Sequence, residues 1–164
     1  LRLNLVRSRG CFLHGLRHFA AIVRLYWNVT KHLELGGYSI MPHLLLLWKD
    51  KNGKKHHIGN LTYDGRNYRF FYEKESLDAT LASGYLLHPS FPDRNKVYES
   101  TRLFAPFARR LPDRRRPDYL DITSRLGLSP DASDMDMLAA TGGKLATDSY
   151  EFVPGFVPGS TRDS

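Results

Sequence analysis

Two short turn motifs, Asp50-Lys51-Asn52-Gly53 and Asp64-Gly65, constrain this chain more than any other feature of it. Asparagine, aspartate and glycine reach the backbone conformations of tight reversals at low cost, so each motif turns the chain back on itself. The motifs separate three runs of strand length: His43 to Trp48, His57 to Tyr63, and Asn67 to Glu73. Ile58, Leu61 and Tyr63 are the apolar members of the second run. In the third, Tyr68, Phe70 and Tyr72 share one face while Arg69 and Phe71 share the other. Three strands joined by two tight turns predict an antiparallel meander. Gly59, inside the second run, predicts a bulge or a close backbone approach.

Beyond the meander the pattern becomes helical. Residues 74–82 read as a short helix ending before Gly84, and the closely spaced prolines of His88-Pro89-Ser90-Phe91-Pro92-Asp93 predict an ordered turn. Leu103, Phe104, Phe107 and Leu111 form an apolar stripe in which Pro106 requires a late start or a kink. Pro117 suits a first helical position, with Asp118 and Asp121 at the positive end of the dipole and Gly127 at the C-terminal cap, where Leu128 can pack back. Ser133-Asp134-Met135-Asp136 is a serine N-cap with an acid three residues on, and that helix closes at Gly142-Gly143. Ser149 to Val153 reads as a last strand. The expectation is an α+β domain over residues 41–153, a small antiparallel β-meander packed with three or four short helices.

A chain of 164 residues, 41% of them apolar, has room for one real core. Its single cysteine, Cys11, excludes an internal disulfide framework and points to a reducing compartment, so a cytoplasmic location is expected. The net charge of +7 is unevenly placed: residues 1–40 hold six Lys/Arg and one acid, leaving 18 basic and 16 acidic groups for the rest. Most of the excess thus falls outside the expected domain, which weakens a global basic-protein argument. Residues 1–40 read as an upstream extension, disordered or marginally helical through Leu13, Leu16, Phe19, Ala20 and Val23, with an organellar presequence as the alternative. Residues 154–164 read as a flexible tail, entered through two successive Phe-Val-Pro-Gly units at 152–159. No apolar run approaches the ~20 residues that span a bilayer, so no membrane partner is expected.

No catalytic constellation emerges, and neither an enzyme nor a cofactor or metal is expected. Thr141-Gly142-Gly143-Lys144 lacks the preceding glycine of a phosphate loop and has Leu145 where a magnesium-binding hydroxyl belongs, so it reads as a glycine helix cap. His56 and His57 are adjacent on a strand and face opposite ways, which sets them, with His43 and His88, as surface-strand histidines rather than metal ligands. Asp131, Asp134 and Asp136 lack the glycine and distal glutamate of a calcium loop and read as helix-capping acids. Cys11, near His14 and His18, is not expected to be a nucleophile. Trp48, Tyr63, Tyr68, Phe70, Phe71 and Tyr72 raise the question of a base-stacking sheet; with helices covering one face, most are expected in the core. One patch remains: Arg109, Arg110, Arg114, Arg115 and Arg116, five guanidiniums within eight residues. Three readings stand open for it: a solvated loop paired with Asp113, Asp118 and Asp121, a protein contact, or phosphate contacts with nucleic acid.

The order of motifs resembles the N-terminal subdomain of HipA-type serine/threonine kinase toxins. The residues that carry the likeness are the aromatic third strand, Pro89-Ser90-Phe91-Pro92, Leu103-Phe104-Ala105-Pro106-Phe107-Ala108-Arg109-Arg110-Leu111-Pro112, Leu126-Gly127-Leu128, and Met137-Leu138-Ala139-Ala140-Thr141-Gly142-Gly143. It spans roughly residues 44–145. The sequence departs from that pattern at Leu111-Pro112-Asp113-Arg114, where those kinases carry Leu-Pro-Glu-Gly, and it shows no kinase core. Arg116-Pro117-Asp118-Tyr119 and Thr147 to Pro154 are closer to the version found upstream of HIRAN domains, a module associated with DNA ends and repair. The first resemblance implies a stand-alone antitoxin-like regulatory subunit with a HipA-like kinase as protein partner. The second implies an accessory module of a DNA-transaction protein. Neither carries over a catalytic residue.

Overall fold

The computed structural model describes residues 43–155. The segment 1–40, with Cys11, His14 and His18, and the second Phe-Val-Pro-Gly unit lie outside the described residues. Within them a five-stranded antiparallel sheet carries four short helices. The strands are β1 (His43–Lys49), β2 (Lys55–Tyr63), β3 (Tyr68–Tyr72), β4 (Tyr98–Ser100) and β5 (Tyr150–Pro154). The helices are α1 (Lys74–Ala82), α2 (Ala105–Ala108), α3 (Tyr119–Arg125) and α4 (Asp134–Thr141). Strand order is β4-β3-β2-β1-β5, so the expected meander forms the middle of a wider sheet.

Both meander turns are built on an aspartate. Asp50 Oδ1 accepts from the backbone N–H of Asn52 (2.8 Å) and Lys54 (2.9 Å), and Asp64 Oδ1 accepts from those of Arg66 (2.9 Å) and Asn67 (2.7 Å). A carboxylate thus satisfies the donors each reversal exposes. Gly59 serves both roles expected of it. The β1–β2 register slips between Leu46 and Leu47, leaving Ile58 without an opposite residue. A Cβ at Gly59 would lie 2.8 Å from the Phe70 ring and 2.9 Å from the Phe71 carbonyl, so only glycine fits.

The alternation in β3 sorts its side chains as the sequence predicts: Tyr68, Phe70 and Tyr72 are buried, Arg69 and Phe71 half-buried. On the buried face Phe70 meets Phe91 (4.4 Å between centroids) and Phe107 (5.4 Å), and Phe107 meets Phe152 (5.1 Å). The proline-rich turn is ordered because it delivers Phe91 into this cluster. The Tyr72 hydroxyl holds it there, donating to the Phe91 carbonyl (2.9 Å) and accepting from the His88 N–H (3.0 Å). Each fully buried phenylalanine contributes about 1.5–3 kcal/mol relative to exposure.

α1 packs on β2, and Ser76 ties it down by donating to the His57 carbonyl at 2.5 Å. α2 begins late, with Pro106 in its first turn, where a missing N–H costs nothing. α4 starts in a full capping box, in which Ser133 Oγ accepts from the Asp136 N–H and Asp136 accepts from the Ser133 N–H. It ends in left-handed Gly142 and Gly143. Gly143 also has no room for a side chain, since a Cβ would meet Leu138 and Phe152 at 3.0 Å each.

Some expectations change. Pro117 is not a first helical residue: α3 starts at Tyr119, whose N–H bonds the Arg116 carbonyl, so a tight turn occupies the proline. The last strand runs on through Pro154, assigned above to the tail, and Gly155 N–H donates to the His43 carbonyl. Proline is tolerated there because β5 is an edge strand. β4 was not anticipated at all. The surface reading of the histidines fails for His43, which is 6% exposed because the end of β5 closes over it.

Candidate contact surface

The arginine patch is split by the fold. Arg110, in the turn after α2, faces inward with its side chain 7% exposed. Its guanidinium grips the Asp148 carboxylate through both terminal nitrogens, donates to the Gly143 carbonyl (2.9 Å), and lies over the Tyr150 ring. This is a bidentate, stacked arginine of the kind lysine does not replace. It ties the α2 turn to the glycine cap of α4 and to the start of β5. The structure therefore takes Arg110 out of the exposed run.

The remaining arginines stay outside, and three of them are already paired. Arg114 donates to the Ala132 carbonyl (2.8 Å) and to Asp134 (3.1 Å) and lies over Tyr119. Arg115 forks onto Asp113, and Arg116 forks onto Asp118 across Pro117. These guanidiniums hold the carboxyls of Asp113 and Asp118 below the ordinary carboxylate range. The solvated-loop reading anticipated Asp113 and Asp118; Asp134, a later residue brought near by tertiary folding, takes the place foreseen for Asp121. Arg109 is exposed and has no ion-pair partner among the described residues.

The other polar groups serve the fold. Asn60 Oδ1 accepts from His43 Nε2 (2.9 Å) and lies 3.1 Å from His57 Nε2, while Asn60 Nδ2 donates to Glu73. Burial lowers the pKa of His43. His56 pairs with Asp50 at 2.9 Å, and that bond, with two backbone donors, holds the carboxyl low. Lys144, the lysine of the phosphate-loop-like segment, pairs instead with Glu151 at 2.8 Å. Beneath Arg110, Tyr85, His88 and Tyr150 a cavity of about 10 Å³ remains, room for no more than one water. Burial raises the phenol pKa values of Tyr72, Tyr85 and Tyr150. Among the described residues no group of three or more His, Cys, Asp or Glu is placed to hold a metal, and no helix is long and apolar enough to cross a membrane.

Of the six aromatics in question, Tyr68, Phe70 and Tyr72 are buried in the core, while Trp48, Tyr63 and Phe71 are half-buried. Tyr63 stacks on Tyr68 (4.4 Å), and Trp48 packs against His56 and Tyr85. What the surface does offer is an edge. β5 is shielded on its outer side, where Phe152 N–H donates to the Gly142 carbonyl (2.7 Å). Among the described residues β4 pairs with β3 alone, and beside it runs a groove of about 310 Å³ lined by Ser90, Phe91, Tyr98, Phe104, Ala105 and Pro106, with Lys96 and Glu99. Neither this strand nor this groove could be found from the sequence, where Tyr98 to Ser100 carries no alternation long enough to signal a strand.

The fold and its surface define a small α+β domain around an aromatic core. The family model of the HipA N-terminal domain matches residues 52–146, and the chain belongs to that family. No curated protein and no solved structure matches it. The match runs from the first turn to just beyond α4, so β1 and β5, which pair with each other at one side of the sheet, flank the matched region.

Proposed function

We propose that this domain works by contact, as a non-enzymatic regulatory or accessory subunit that binds a protein partner, in the manner of a stand-alone antitoxin-like HipA N-terminal subunit acting on a HipA-like kinase. The observation that carries this reading is the close packing of the described residues beneath Arg110. A cavity of about 10 Å³ beneath Arg110 is far below the ~300 Å³ at which small-molecule sites begin, and the groove of about 310 Å³ beside β4 is an open surface feature rather than an enclosed pocket. The buried polar groups near it are committed to holding elements together. A cytoplasmic setting accords with the single cysteine.

The alternative, a DNA-associated module touching phosphates through its arginine loop, is less favoured. Arg114, Arg115 and Arg116 each have a carboxylate beside the guanidinium, from Asp134, Asp113 and Asp118, and that negative charge lowers the positive potential a phosphate would meet. Tagged full-length chain recovered from host lysate with nuclease treatment separates the two. A stoichiometric kinase-like protein that survives nuclease, and whose phosphorylation activity falls when the chain is added, is expected. Partners lost on nuclease treatment, with a salt slope flattened by R114Q/R115Q/R116Q, would move the assignment to DNA.

A further inference from the structure

The two edges of the sheet are finished differently. β5 spends an outward N–H on Gly142 and has Glu151 pinned between Lys55 (2.6 Å) and Lys144 (2.8 Å). Among the described residues β4 has a neighbour on one side only. Tyr98 and Glu99 point to opposite faces of the strand, yet both line the groove. The groove therefore runs along the open edge of β4 rather than over one face. Its wall is aromatic and apolar, from Phe104, Ala105 and Pro106, and Val97, immediately before the strand, is 55% exposed.

Cations outnumber acids around it. Lys96 lies over the Tyr98 ring at 5.3 Å with no carboxylate partner among the described residues. Arg102, just after β4, and Arg109, one helical turn from Ala105 and Pro106, are exposed and likewise have no carboxylate partner there. Glu99, the acid on the edge, accepts from Asn67 (2.7 Å) and from Arg69 (3.3 Å), a guanidinium it shares with Asp64 (3.1 Å). Lys96 lines the groove and Arg102 and Arg109 lie a few residues from its lining in sequence, whereas Arg114, Arg115 and Arg116 carry their own counter-ions.

Resting on the contact reading above, we propose that the open edge of β4 and its groove are the partner-binding surface, and that they take an extended acidic segment of a protein. The segment adds to β4 as a further strand, main chain to main chain. It seats an apolar side chain against Phe104 and Pro106 and places carboxylates near Lys96, Arg102 and Arg109. Strand addition supplies affinity from backbone hydrogen bonds and specificity from alternate side chains, and like-signed rim charge steers an acidic partner and rejects a basic one.

The test uses the full chain and a short fluorescein-labelled peptide alternating glutamate with valine and phenylalanine, beside lysine-bearing and backbone-N-methylated versions. The glutamate peptide binds saturably, and the other two do not. K96E/R102E/R109E weakens binding roughly tenfold or more through the rim charge. Ala105→Trp, which fills the groove from an exposed position, weakens it comparably, and R115Q/R116Q leaves it unchanged. Circular dichroism melts confirm that each variant folds. Absence of saturable binding, equal binding of the lysine peptide, or indifference to both groove variants overturns the proposal. So does concentration-dependent self-association removed by A105W, which assigns the groove to a second copy. If both variants still recover the lysate protein at full yield, the groove assignment falls and the contact reading stands. If the peptide binds as expected but no protein is recovered, the contact reading falls instead.

Discussion

Arg110 lies with its side chain 7% exposed, clamped on Asp148 and Gly143 and stacked on Tyr150, whereas Arg115, five residues on, is 90% exposed and folds back onto its near neighbour Asp113. The two carry the same group in the same short segment. One closes a span of 38 residues and joins three elements; the other closes a local turn that water could solvate equally well. A guanidinium removed from water must keep its partner, while an exposed pair in high dielectric contributes little. The same contrast separates the sheet core, where a Cβ at Gly59 would press on Phe70, from the β4 edge, where Lys96 has no carboxylate partner among the described residues.

Removing the clamp is the severest way to test that contrast. Arg110→Ala leaves Asp148 partly buried without its cation and should cost about 2–4 kcal/mol, toward the lower end for a buried pair because Asp148 keeps some water. A denaturant midpoint unchanged by the substitution would show that the clamp is ornamental. Gly59→Ala tests the tightness of the core. Its methyl group would press on the Phe70 ring and the Phe71 carbonyl, and overpacking of this kind costs about 1–3 kcal/mol. Normal thermal stability in that variant would mean the sheet yields more easily than its geometry implies.

A gentler probe is pH. Burial lowers the pKa of His43, and burial together with the nearby Arg110 lowers that of His88. The unfolded chain, whose histidines titrate near 6.5, therefore takes up protons that the folded chain resists. Stability from these groups is full above about pH 6.5 and falls as the pH drops below it. The melting temperature should decline between about pH 7 and 5, before the carboxylates titrate, and His43→Gln should reduce the decline. A flat profile there would contradict the burial assigned to both rings. The smallest effect belongs to the surface. R115Q/R116Q should leave the melting temperature where it is, and any clear drop would show that the 113–118 loop braces the fold.

The fold is legible in the sequence where the signal is local. Asp50 and Asp64 build their turns from donors two to four residues away, Ser133 and Asp136 cap α4 across one turn, and the alternation of Tyr68, Phe70 and Tyr72 declares a buried face. It is not legible where the partner is remote. Nothing near His43 announces that Gly155 will close over it, and nothing near Arg110 distinguishes it from Arg109. The Pro117 position was misjudged because a turn held by the Arg116 carbonyl competes with helix initiation at the same residues.

By itself, then, the sequence determined the meander, the caps, the aromatic face and the family, because turns, caps and period-two alternation depend on neighbours a few bonds away. Only the tertiary structure decided that β5 pairs with β1, that Tyr98 to Ser100 becomes an edge strand, and which cations keep a counter-ion. Those outcomes depend on closing long loops onto a common core, where the gain from burying a strand or an ion pair is set by what else has already packed there.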